Sequence, residues 1–143
     1  MENLLIKFIK SKPKIIKKGS FLLGEITIDD FYEAFHAPLT WWKKEDYESQ
    51  WCTGIERLKN YDKSCLVTKF CNPDGLGLID WWLLYKDSGM IYIRNQIIFP
   101  EFYEEVIGKN KFTPQNCYDF IQPKGPRELE DGRKLSEWVI PYE

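Results

Sequence analysis

Leu78-Ile79-Asp80-Trp81-Trp82-Leu83-Leu84-Tyr85, Lys86-Asp87-Ser88-Gly89, Met90-Ile91-Tyr92-Ile93-Arg94-Asn95-Gln96-Ile97-Ile98-Phe99: two runs of aromatic, aliphatic and β-branched residues flank a short polar turn. Such side chains suit a pleated, half-buried surface, and the pattern predicts a β-hairpin. Both runs are apolar on both faces over much of their length. That places them centrally in a sheet, each face covered by a helix or a second sheet. Upstream, Cys65 to Phe70 reads as a third strand, joined by Asn72-Pro73-Asp74-Gly75, where Pro presets φ and Gly accepts a positive one.

Before this meander, Tyr47, Trp51, Ile55 and Leu58 recur at gaps of four, four and three, the spacing of one helical face. The spacing predicts the principal helix at about residues 42–59, with Thr40 as its cap. Glu45, Asp46 and Glu48 in its first turns and Arg57 and Lys59 in its last complement the helix dipole. Gly54 inside it costs about 1 kcal/mol relative to Ala, which suggests close packing against a sheet. Leu4–Ile9 and Ser20–Ile28 read as strands, Phe31–Pro38 as either an extended segment or a helical turn, and Leu135–Ile140 as a final strand. Pro100 ends the hairpin, Glu101–Ile107 reads as a short helix, residues 108–124 as loop, and Arg127–Lys134 as a charged hairpin or loop. The fold class is α+β: a mainly antiparallel sheet with one principal helix, in a single domain over residues 1–143.

Composition narrows the function. Apolar residues make up 43% and charged residues 29%, a globular balance. Aromatics reach 16%, which favours a β-rich core and also suits a recognition surface. Charge is uneven. Residues 1–18 hold six lysines (Lys7, Lys10, Lys12, Lys14, Lys17, Lys18) against Glu2, a balance of +5. The other 14 basic and 21 acidic groups leave residues 19–143 at −7. An acidic body attracts a basic partner and repels a polyanion. Leu4-Leu5-Ile6 is followed at once by Lys7, too short a run for a signal peptide, and no stretch reaches the 18 or so apolar residues of a membrane span. Cys52, Cys65, Cys71 and Cys117 form no Cys-x-x-Cys, so the expectation is four free thiols in a reducing cytoplasm.

Catalytic chemistry finds little support. His36, the only histidine, lies in Phe35-His36-Ala37-Pro38 with no nucleophile elbow in the chain, and reads as a structural hydrogen-bonder. One histidine and dispersed cysteines make a poor metal site. Gly75-Leu76-Gly77 lacks the third glycine and following helix of a dinucleotide fingerprint. Asp80, in an apolar strand, must be paired, exposed or shifted in pKa. Arg94 is its cross-strand partner if Tyr85 pairs with Gly89, and a one-residue slip would put the two on opposite faces.

Three stretches together resemble the immunity proteins of contact-dependent growth inhibition, the CdiI family. They are Phe31-Tyr32-Glu33-Ala34-Phe35-His36-Ala37-Pro38-Leu39 running into Trp42–Trp51; Trp81–Tyr85 with Ile91–Phe99; and Glu130-Asp131-Gly132-Arg133-Lys134-Leu135-Ser136-Glu137-Trp138. The resemblance covers about residues 26–140 as a pattern of aromatics and turns. It implies a cytoplasmic, cofactor-free, non-enzymatic binder that forms a one-to-one complex with the C-terminal toxin domain of a cognate CdiA, usually encoded immediately upstream. Toxins paired with similar proteins include ribonucleases, and some of these immunity folds are similar to Whirly single-strand-binding domains. A nuclease cleft is basic, so acidic patches are the candidate toxin-binding residues: Asp29 and Asp30; Glu101, Glu104 and Glu105; and Glu128, Glu130 and Asp131. The last two patches are preferred because they sit on loops or element ends. The alternative is a single-strand nucleic-acid binder that uses the basic segment Lys7–Lys18 and aromatics of the sheet.

Overall fold

A computed structural model describes residues 2–9, 14–16, 19–71 and 77–142, with only the backbone of 14–16. Most of the basic segment, including Lys10, Lys12, Lys17 and Lys18, and the turn Asn72–Gly75 lie outside the described residues. The first sheet contains β1 (Leu4–Phe8), β2 (Lys14–Ile16), β3 (Gly19–Ile28) and β4 (Phe31–Pro38). β3 is its spine, with β1 and β2 antiparallel along one edge and β4 along the other. Phe31–Pro38 is therefore a strand: Asp29, at φ 50°, turns the chain so that Phe31 pairs with Ile28. The second sheet is antiparallel in the order β5 (Lys63–Cys71), β6 (Leu78–Asp87), β7 (Met90–Ile98), β8 (Trp138–Pro141). Antiparallel strands and a principal helix were expected; their division into two four-stranded sheets is a tertiary outcome.

The register of the hairpin differs from the expected one. Asp87 pairs with Met90 around a two-residue turn, Ser88 and Gly89, at φ 52° and 78°. Both residues occupy the left-handed region that a type I′ turn requires, and that turn's twist matches the strands. Tyr85 consequently pairs with Tyr92, not Gly89. The slip is odd-numbered, so Asp80 and Arg94 fall on opposite faces of the sheet.

Both faces of the second sheet are covered. Over one lies the first sheet, where Phe31 stands 6.1 Å from Trp82 and 4.5 Å from Trp138, centroid to centroid. Over the other lies the segment after β7, where Phe112 packs on Phe70, Trp81 and Trp42. The helix α1 (Lys44–Glu56) continues as a 3-10 turn through Lys59. It starts two residues later than expected and Thr40 does not cap it. Lys43 is the N-cap, and its backbone N–H donates to Asp46 Oδ2 at 2.8 Å.

α1 lies along the outer edge of β5. Its buried Gln50 donates from Nε2 to the Cys65 carbonyl (2.8 Å) and accepts from the Val67 N–H (2.7 Å), as a neighbouring strand's peptide would. Trp51 Nε1 donates to the Val67 carbonyl at 2.7 Å, and Ser64 Oγ to the Gly54 carbonyl at 2.5 Å. A Cβ on Gly54 would stand 2.4 Å from the Cys65 carbonyl oxygen, so glycine is needed for this approach. An edge that could recruit another chain is thereby closed by a helix. The final strand begins at Trp138, three residues later than predicted, because Leu135 is used to close the preceding arm: its N–H donates to the Arg127 carbonyl.

Candidate functional site

No cluster of metal-ligating side chains occurs among the described residues. His36 is exposed on the outer face of the first sheet, opposite Leu23, and its ring makes no hydrogen bond among the described residues, so it is not the structural hydrogen-bonder expected. Asp80 is half-buried and accepts from Asn95 Nδ2 at 2.8 Å. Burial raises its pKa against the opposing pull of Asn95 and Lys69. The carboxyl of Glu33 is also raised by partial burial, with Asp80 adding to the effect and Lys69 opposing it. Arg94 is instead a fastening. Its Nε donates to Glu137 at 2.7 Å with both side chains 8% exposed, and its other nitrogens donate to the Lys124 and Gly125 carbonyls. It ties residues 124–137 to the second sheet.

The cysteines are unbonded. Cys65 and Cys117 are buried with sulfurs 3.7 Å apart, and burial raises the Cys65 thiol. Apolar burial of this kind makes a thiol inert. A cleft of about 710 Å³ opens between Trp41 and Asp46 at the start of α1 and Lys109–Gln115, with Tyr103 in its wall. It offers aromatic surface and charges of both signs, and no nucleophile–base pair.

The eight candidate acids are all exposed and occupy three separate elements. Asp29 and Asp30 form the β3–β4 turn, where the Asp29 N–H donates to the Asn3 carbonyl at 2.9 Å. Glu128, Glu130 and Asp131 lie on an arm closed by a bridge between Glu128 and Lys134. The arm also carries Arg127, Arg133 and Lys134, and Arg133 Nε donates to Asp131 at 2.6 Å. Its acids are therefore balanced by bases. Glu101, Glu104 and Glu105 belong to α2 (Pro100–Ile107), which carries no base.

Sequence reasoning missed what accompanies these three acids. Tyr103 and Ile107, four residues apart, are buried, so Phe102 is turned outward and is 54% exposed; Phe99, the N-cap, is 48% exposed. The helical phase of Tyr103 and Ile107 was the available signal. By contrast, the large aromatics of the second sheet, Trp81, Trp82 and Tyr85, are buried. They offer no stacking surface for bases.

Residues 37–143 match the family model of the CdiI N-terminal domain. The chain belongs to the CdiI family. It is similar to the immunity protein CdiI of Enterobacter cloacae subsp. cloacae, with 32% identity over 132 residues, 92% of this chain and 86% of that protein. It is also similar to a chain in a solved CdiA-CT/CdiI toxin and immunity complex from Enterobacter cloacae. There the TM-score is 0.78 at 29% identity, covering 96% of this chain and 90% of that one. In this CdiI-family chain the candidate acids stand apart from the buried core. Hydrogen bonds and the buried Arg94–Glu137 ion pair hold the scaffold, and the acids stand outside it on a turn, a helix and an arm.

Proposed function

We propose that this CdiI-family chain acts in the cytoplasm as a single domain over residues 1–143. It neutralises the C-terminal toxin domain of its cognate CdiA by forming a one-to-one complex, and it needs no cofactor. The observation that carries this reading is the similarity, over nearly the whole of both chains, to a chain solved in a CdiA-CT/CdiI complex. In this proposal the toxin is a nuclease that acts on RNA, and the support is electrostatic. An enzyme that binds a polyanion needs a basic cleft, and residues 19–143 carry a net −7 with exposed acids on three elements. Asp29, Asp30, Glu101, Glu104, Glu105, Glu128, Glu130 and Asp131 are the proposed contact set.

Calorimetry against the toxin domain encoded immediately upstream, at two salt concentrations, tests this. One-to-one binding that weakens as salt rises is the expected result. A folded protein that does not bind that domain overturns the proposal.

A further inference from the structure

The proposed toxin complex draws on three acidic patches, and α2 differs from the other two in its details. Glu101, Glu104 and Glu105 stand at i, i+3 and i+4 on a helix of eight residues, with no base in its last turn. Like charges at this spacing repel, and carboxylates in the later half of a helix oppose its dipole. Local helix stability is therefore no reason for Glu104 and Glu105, whereas Glu101, in the first turn, is favourably placed against the dipole. None of the three carboxylates forms an ion pair among the described residues, in contrast to Asp131 on the arm. Beside them Phe99 and Phe102 leave about half of each side chain in water, and Ile97, at the end of β7, is 39% exposed. Aromatic side chains ringed by charge are the usual composition of an interface hot spot and its rim.

Resting on the toxin-binding reading, we propose that the outer face of α2 is the docking surface for a basic face of the toxin domain. Phe99 and Phe102 are its apolar anchors, and Glu101, Glu104 and Glu105 steer and orient the partner. A second copy of this chain does not fit the same face, because the two sets of carboxylates would meet each other. The arm at residues 127–134, with acids and bases interleaved, steers the partner less than α2 does.

The test measures association and dissociation of the upstream-encoded toxin domain with the full chain and three variants. Phe102→Ala, an exposed position, is expected to weaken binding by about thirtyfold or more. The triple variant Glu101→Gln, Glu104→Gln, Glu105→Gln is expected to slow association about tenfold at low salt and to flatten the salt dependence. Glu128→Gln with Glu130→Gln and Asp131→Asn is expected to slow association less than the α2 triple variant does, because the bases of the arm already offset its acids. Circular dichroism confirms that each variant is folded. If the parent binds and both α2 variants bind equally well, the assignment of α2 is overturned while toxin binding stands. If the parent itself does not bind, the toxin reading fails and takes this inference with it. Self-association that Phe102→Ala abolishes, with toxin affinity unchanged, also overturns the assignment in favour of a second copy.

Discussion

Asp80 shows how much a single residue's environment depends on register. From the sequence it is an acid in an apolar strand, with Arg94 as the obvious partner. In the fold Arg94 is on the opposite face, bound to Glu137, and Asp80 has Asn95 as its hydrogen-bond donor. Burial raises the Asp80 carboxyl, so the folded chain holds that proton more tightly than the unfolded chain does. Its contribution to stability is complete below the ordinary carboxylate value, near 4, and is lost as pH rises through the raised folded value. Asp80→Asn keeps the shape and an acceptor for Asn95 without the buried charge. It is expected to raise the melting temperature at pH 7 and to leave it nearly unchanged near pH 3. Thermal melts at the two pH values check this, and an equal shift at both would exclude the buried charge as its cause.

At the scale of an element, α1 was legible in its apolar face, because Tyr47, Trp51 and Leu58 are buried as their spacing requires. Its polar contribution was not. Gln50 lies one position before Trp51 and carries no sign in the sequence that its amide closes a sheet edge. Its partners include two backbone groups of a strand 15 and 17 residues away, and it also donates to the Tyr118 hydroxyl at 3.2 Å. Gln50→Leu would leave the Cys65 carbonyl and the Val67 N–H buried and unpaired, at a cost of about 2–4 kcal/mol. Urea unfolding should show a lower midpoint with an unchanged slope. A change under about 0.5 kcal/mol would mean that the edge is not closed by this side chain.

Over the whole molecule, the first sheet shields one face of the second, with Phe31 against Trp82 and Trp138. A chain beginning at Ala37 would lack β1 to β3 and most of β4, exposing buried Trp82, Leu84 and Ile93 to water. Burial of side chains this size contributes about 1.5–3 kcal/mol each, comparable together with the whole stability of a small domain. The fragment is therefore expected to melt without a cooperative transition in calorimetry, and a sharp transition in the fragment would show that residues 37–143 fold independently. The sequence by itself determined most of the strands, the principal helix, the polar turn of the hairpin and the surface position of every candidate acid, while it left Phe31–Pro38 open between strand and helical turn and did not single out Lys14–Ile16 as a strand. These follow from local propensity and from periodicity, which are written within a dozen residues. Only the tertiary structure decided the register that separates Asp80 from Arg94, the division into two sheets, and the sealing of β5 by Gln50. Each of these depends on atoms brought together from distant parts of the chain, where side-chain packing and the pairing of buried polar groups select among arrangements that local sequence leaves equally acceptable.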